Sequence, residues 1–301
     1  MESKILLESG TNELELLVFE VGGNKYGINV AKIREIRVAE PVTPVPNAHP
    51  FIEGIFMPRD VIITLIDLAK VLHFAPSANP NGDMFIVTNF NKLNVSFRVH
   101  RVLGIERISW TEIIAPDKTV NAGDNALATG FVRINGQLII ILDFESIVSD
   151  ISPETGLKVS DVSKWMGRER DETPIVIAED SHLLMQLIVD SLYKSGYTNI
   201  YQNNNGQEAW DYLTSLKRKG VLNERVGCVI TDIEMPLMDG HRLLKLIRSD
   251  KDMNDIPVIV FSSLLNDEMR RKGERLGADA QLSKPEIGKL VEEIDRLVGR
   301  V

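Results

Sequence analysis

The chain has 301 residues, about twice the usual size of one domain, so its length alone favours two domains. Hydrophobic residues make up 44% and charged residues 26%, enough apolar material for ordinary cores; this excludes a largely disordered chain and also collagen-like, coiled-coil and disulfide-scaffold architectures. The net charge of -9 is spread, with 13 Lys/Arg against 18 Asp/Glu in residues 1–150 and 17 against 20 in residues 173–301, so neither half has the basic face that nucleic-acid binding needs.

The single cysteine, Cys228, sits in an apolar run, which rules out a disulfide framework or a thiolate metal cluster and fits a reducing compartment. No stretch approaches the roughly 20 apolar residues of a spanning helix. A cytoplasmic protein with no membrane anchor of its own is expected.

Residues 14–21 are β-rich and stop at Gly22-Gly23, a hairpin signal, and residues 61–66, 84–87 and 93–99 continue the strand pattern. Asn135-Gly136, between residues 129–134 and 138–142, is the strongest short-range sign of a two-residue hairpin. Helices longer than about three turns are hard to find before residue 150, so an all-β barrel or sandwich is expected. Residues 61–68 also echo residues 138–144: each reads as a buried strand ending in Asp, Asp67 or Asp143, before a short helical turn, with the Asp as N-cap. Two related sub-barrels would account for the echo.

The best boundary lies at 150–173, where a polar run closes at Pro174; residues 157–166 carry apolar side chains at helical spacing and predict a short docking helix there. This gives domains at 1–150 and 173–301 with a linker at 151–172. Beyond the linker, strands at 175–178, 199–201, 228–231, 258–261 and 280–282 alternate with helical stripes, the arrangement of a doubly wound parallel α/β sheet with its site at the carboxyl ends of the strands.

Those ends are acidic. Strand one runs into Glu179-Asp180, strand three into Asp232, strand four into Ser262-Ser263 and strand five into Ser283-Lys284-Pro285. Three carboxylates brought together repel one another unless a cation compensates, and hard oxygen donors suit Mg²⁺. Lys284 and Ser262 at the same edge then suit a phosphoryl group, whose transfer is mostly positioning and charge neutralisation.

This constellation, with Asp232-Ile233-Glu234-Met235-Pro236-Leu237-Met238-Asp239-Gly240 and Lys284-Pro285, resembles the receiver domain of two-component response regulators over essentially all of 173–301. The resemblance implies a flavodoxin-like sheet of order 2-1-3-4-5. It implies that Asp232 accepts a phosphoryl group from a kinase phosphohistidine, and that Glu179, Asp180, Asp232 and the main-chain carbonyl of Glu234 hold Mg²⁺. Ser262 and Lys284 would contact phosphoryl oxygens, across a cis Lys284-Pro285 bond. Asp239-Gly240 would form the turn and helix start, and His182 a solvated helix-start histidine. Glu179 departs from the more frequent Asp, and Gln281 stands where chemotaxis receivers often carry a switch aromatic, which puts a tyrosine-like switch in doubt.

The N-terminal half has no comparable chemistry: His49, His73 and His100 lack ligand spacing, and a binding module is expected. Its ordered pieces, Phe19-Glu20-Val21, Tyr26-Gly27-Ile28-Asn29-Val30, Lys32-Ile33-Arg34-Glu35-Ile36-Arg37, Pro44-Val45-Pro46-Asn47, Phe51-Ile52-Glu53-Gly54-Ile55-Phe56-Met57-Pro58-Arg59-Asp60 and Ile66-Asp67-Leu68, resemble the CheW family of chemotaxis coupling proteins. That family has two small five-stranded, SH3-like barrels. Its inter-barrel groove binds the tip of methyl-accepting chemoreceptors, and the module docks on the histidine kinase CheA. Carried over by motif, Ile33, Glu35, Gly54 and Arg59 would line the groove; Asp60 stands where the family usually has Gly. A CheW-like module followed by a receiver is the arrangement of CheV proteins. The resemblance implies a non-enzymatic adaptor recruited to receptor arrays, with CheA, the receptors and CheW as partners, modulated by phosphorylation at Asp232 as adaptation or as a phosphate sink. The competing class is a metal-dependent phosphohydrolase using Asp232 and Glu234 as an Asp-x-Asp-like pair.

Overall fold

Turn residues and alternating apolar runs set the strands of the N-terminal half. The structure, a computed structural model, describes residues 13–90, 93–116, 127–152, 165, 167–265, 267–284 and 286–300. These fall into two compact units, one drawn from residues 14–108 and 112–152, the other from 13, 109–111 and 165–300. The N-terminal half runs β1 (Glu13–Val21), β2 (Asn24–Asn29), β3 (Ile33–Val38), β4 (Ile52–Phe56), β5 (Ile63–Asp67), α1 (Leu68–Val71), β6 (Met84–Phe90), β7 (Leu93–Val99), β8 (Arg101–Ser109), β9 (Ala128–Ile134), β10 (Gln137–Leu142) and α2 (Phe144–Ile151). Asn135 at φ 50° and Gly136 at φ 78° make the turn from β9 to β10 as predicted, because a type I′ hairpin needs positive φ at both central positions.

These strands form two five-stranded sheets, ordered β8-β1-β2-β10-β9 and β3-β6-β7-β5-β4. The two are the same sheet in circular permutation. In each, an antiparallel hairpin (β1–β2 or β6–β7) pairs in parallel with a strand (β10 or β5) that pairs antiparallel with its predecessor (β9 or β4). Each sheet also closes on itself in the same way. Past β3, Thr43 bridges Ile55 of β4, and past β8, Ile114 bridges Phe131 of β9. One residue before each bridge stands a glycine, Gly54 or Gly130. A Cβ on Gly54 would collide with the carbonyl oxygen of Thr43, and one on Gly130 with the Ile113 side chain. The echo in the sequence is thus a whole repeated barrel. Asp67 and Asp143 cap α1 and α2 as expected, accepting from Ala69 N and Ser146 N at 3.0 and 2.9 Å.

The apolar run at the start of β6 does not alternate because both faces of its sheet are buried. Ile86 joins a large core with Phe19, Phe97 and Phe144 that both sheets share, while Phe85 and Val87 join Phe56, Ile63 and Leu65 on the other face. Beside that second core Arg98 forks onto Glu53 with two 2.6 Å bonds and reaches Asp83 at 3.2 Å, its guanidinium 5.0 Å over the Phe85 ring.

The C-terminal half runs β11 (Ile175–Ala178), α3 (His182–Lys194), β12 (Ile200–Asn203), α4 (Gly206–Lys219), a short α5 (Leu222–Arg225), β13 (Cys228–Thr231), α6 (Gly240–Ser249), β14 (Val258–Ser262), α7 (Asp267–Leu276), β15 (Ala280–Ser283) and α8 (Ile287–Val298). Its sheet is wholly parallel in the order β12-β11-β13-β14-β15, the expected 2-1-3-4-5. α3 and α8 cover one face, burying Ile188, Leu192, Leu290, Val291 and Ile294 against Ile175, Ile177, Ile230 and Phe261. α4 packs beside α6, and α6 beside α7.

The segment ahead of β11 also packs on this unit. Trp165 is 8% exposed within the α3–α8 core, and Asp171 bridges Tyr197 in parallel. The rest of the docking helix expected at 157–166 lies outside the described residues, as does the Pro285 side of the expected cis bond.

Candidate functional site

Parallel register brings the predicted acids together. Ala178 of β11 pairs with Thr231 of β13, so the next residues, Glu179 and Asp232, emerge side by side at the carboxyl edge. Ser262 of β14 likewise pairs with Ser283 of β15, and Lys284 N donates to the Ser262 carbonyl at 3.3 Å, which delivers the Lys284 side chain to the same place. The strand order reverses direction around β11 and β13, where a doubly wound sheet opens its crevice.

The group is buried: Glu179 and Lys284 are 2% exposed, Asp232 4% and Ser262 0%. The Lys284 ammonium lies 2.7 Å from Asp232 Oδ2 and 3.1 Å from Glu179 Oε2. Half-buried Asp180 completes the acidic set, since one oxygen from each of Glu179, Asp180 and Asp232 lies within 4.8 Å of the others. Three carboxylates against one ammonium leave two negative charges, which matches a hard divalent cation bound by oxygen.

Main-chain groups hold these side chains in place. Asp232 Oδ1 accepts from Ile233 N at 2.5 Å, and Glu179 Oε1 from Ser181 N at 3.2 Å. Ser181 in turn caps α3, whose first residue, His182, is exposed as expected. Ser262 Oγ accepts from Leu264 N at 3.2 Å. Glu234, partly buried, lies in the loop that leads to α6. Asp239 caps α6 by accepting from Arg242 N at 2.8 Å, and burial raises its carboxyl above the ordinary range. Gly240 is required where it stands, because a Cβ there would run into the Asp232 carbonyl oxygen.

One buried residue close to the site in sequence had no role assigned from the sequence. His241, the second residue of α6, is 3% exposed; burial and then Lys272 lower its pKa to about 3, and its Nε2 has no hydrogen-bond partner among the described residues. A histidine on the apolar stripe with Leu244 and Ile247 was the only sign in the sequence. Gln281 fills the position in doubt: its Nε2 donates to Arg270 O at 2.9 Å while Arg270 donates back to Gln281 O at 3.2 Å, a reciprocal tie between β15 and α7.

The four groove residues lie on one barrel, β3 to β7. Ile33 and Glu35 both lie on β3, but a bulge between them puts Ile33 opposite Thr88, where it packs on the large core, and Glu35 opposite Val87 on the other face, where Glu35 pairs with Arg37 at 3.4 Å. Gly54 on β4 is buried against Thr43, so its smallness serves the closure of the barrel. Arg59 is exposed in a 3-10 turn, Pro58–Asp60, where Arg59 and Asp60 both take left-handed backbone, at φ 52° and 65°. Asp tolerates that conformation better than most residues, so the turn forms without glycine.

Comparison with known proteins matches residues 15–152 to the CheW-like domain and residues 175–295 to the response regulator receiver domain. Chemotaxis protein CheV3 of Helicobacter pylori is 32% identical over 313 aligned residues, covering 100% of this chain and 99% of that protein. The chain belongs to the CheV family of chemotaxis proteins. CheV2 of the same organism is 28% identical, with 95% of each chain covered. Chemotaxis protein CheW of Thermotoga maritima is 30% identical over 151 residues, 50% of this chain and 98% of its own.

As a CheV-type chain, this protein is a chemotaxis adaptor that carries a receiver domain, and both expected folds are present. The phosphohydrolase alternative is not supported, since Asp232-Ile233-Glu234 follows the central strand of a receiver sheet. No helix among the described residues is long and apolar enough to cross a membrane.

Proposed function

We propose that this chain couples methyl-accepting chemoreceptors to the histidine kinase CheA within cytoplasmic receptor arrays that also contain CheW, and that phosphorylation of Asp232 modulates the coupling. The adaptor comprises residues 1–150, the connection 151–172 and the receiver 173–301. The observation that carries the reading is the burial of Asp232 between Lys284, at 2.7 Å, and the Glu179–Asp180 pair, in a chain whose other half is CheW-like.

An Asp232 carboxylate oxygen attacks the phosphorus of a phosphohistidine; the P–N bond breaks, imidazole leaves, and an acyl phosphate remains on Asp232. Lys284 and Ser262 meet the phosphoryl oxygens and offset their charge. Glu179, Asp180, Asp232 and the Glu234 carbonyl would hold Mg²⁺, which when bound supplies further neutralisation of the transferring group. The readout acts as adaptation or drains phosphoryl groups from the kinase. Ile33, Glu35, Gly54 and Arg59 face the receptor tip, where an apolar anchor beside a Glu and an Arg gives burial with orientation.

The test uses purified protein with phosphorylated CheA or acetyl phosphate. Wild type gains one phosphoryl mass and Asp232→Asn gains none; equal labelling of the variant sinks the site assignment. In reconstituted arrays the two should then differ in kinase activity, and Arg59→Ala should co-sediment less with receptors. Identical kinase output and recruitment would remove the adaptor reading.

A further inference from the structure

We propose that the far ends of α3 and α8 are the output surface of the receiver, and that its occupant is the chain's own connecting segment at Trp165 and residues 168–171. The proposal rests on phosphorylation of Asp232.

This segment is built into the receiver by several independent contacts. Trp165 is buried in the α3–α8 core. Arg168 pairs with Asp295 of α8 at 2.8 Å, and the other Asp295 oxygen accepts from Tyr197 Oη at 2.6 Å. Asp171 N donates to Gly196 O at 2.8 Å, and Thr198 N donates to Asp171 O at 2.9 Å. Arg300, just past α8, lies with its guanidinium 5.0 Å over the Tyr197 ring, reaches Asp171 at 3.4 Å and donates to the Glu169 carbonyl. The chain is pressed close here, because a Cβ on Gly196 would meet the Glu169 oxygen at 2.7 Å. The charges are held firmly. Burial opposes ionisation of Asp171, but the bonds from Thr173 and the nearby Arg300 outweigh it and lower its pKa; burial and then Asp295 raise that of Tyr197.

The same two helices begin at the acidic site. α3 is capped by Ser181, whose N–H bonds Glu179, and α8 follows Lys284, whose ammonium bonds both Asp232 and Glu179. A phosphoryl group on Asp232 places anionic oxygens where Lys284 now meets Oδ2, so Lys284 must re-pair and the start of α8 must shift. α8 has 12 residues and so spans about 18 Å as one stiff element. Its other end carries Asp295 and leads to Arg300, which grip the segment. The two arrangements of Lys284 therefore become two ways of holding Trp165 and Arg168, and the segment leads back in sequence to the adaptor.

The experiment uses the full chain carrying 5-fluorotryptophan, whose three fluorine resonances are assigned with Trp110→Phe and Trp210→Phe. With Mg²⁺ and acetyl phosphate, the Trp165 resonance should shift in step with the mass gain, and stay in place in Asp232→Asn. In Arg168→Ala and in the milder Asp295→Asn, phosphoryl uptake should match wild type while the Trp165 shift falls at least twofold. A Trp165 resonance that stays put while the mass gain is complete, or that shifts equally in both variants, overturns the output role alone. Absence of any mass gain in wild type overturns the phosphorylation reading and the output role with it.

Discussion

His241 gives the receiver a stability that depends on pH through one residue. Its imidazole is buried, and its pKa is lowered from 6.5 to about 3. The folded chain therefore binds fewer protons than the unfolded chain between those values, so this contribution is intact above pH 6.5 and drains away as pH falls. Linkage puts the loss between pH 7 and pH 5 at about 2 kcal/mol. His241→Leu replaces the ring with an apolar side chain of similar size and removes the proton; Asp239 and Lys272 are common to both chains and cancel in the difference. The assay is urea unfolding at the two pH values, read by pulsed hydrogen exchange on the peptide that carries β13, so that only the C-terminal sheet is scored. Wild type should lose about 2 kcal/mol more than His241→Leu on going to pH 5. Equal losses would mean that the imidazole is protonated in place or reaches water, and the reasoning from its burial would fail.

Two further outcomes follow from close packing. Gly240→Ala drives a methyl group into the Asp232 carbonyl, so the receiver should lose about 3 kcal/mol and phosphoryl uptake should fall; uptake and urea midpoint both at wild-type level would contradict the steric argument. Arg98→Ala strands Asp83, which is 1% exposed, and should cost the adaptor about 3–5 kcal/mol, with Arg98→Lys recovering part; hydrogen exchange of β7 measures it, and a change below about 1 kcal/mol would show that water replaces the guanidinium.

What the sequence shows plainly is local. Asn135-Gly136, the Asp67 and Asp143 caps, and the acids at the strand ends each depend on a few neighbouring residues, and each is found where local chemistry puts it. Strand starts shift where a neighbouring turn intervenes: β5 begins at Ile63 rather than 61, because the turn at Pro58–Asp60 is closed by Val61 N donating to the Pro58 carbonyl. The missing pieces are contacts between distant residues. Nothing near Tyr26 announces its partner Ile140, nor does anything near Arg98 announce Glu53 and Asp83. The polar run 167–173 leaves its docked or free state open because its partners, Asp295, Tyr197 and Arg300, lie elsewhere in the chain. Gly54 reads as a groove residue, and its twin Gly130 draws no notice, until the two closing bridges show why both are glycine.

The permuted barrels also bear on synthesis. β3 to β7 form a contiguous block, so that barrel can close as soon as residue 99 has left the ribosome. The hairpin β1–β2 has no neighbour in its sheet until β8 has emerged, and the edge of β2 stays open until β10 follows, while a lone two-stranded hairpin is marginal in water. During that interval its open edge is a site for wrong pairing with a neighbouring nascent chain. β1 and β2, made before β3–β7, are locked into place after them.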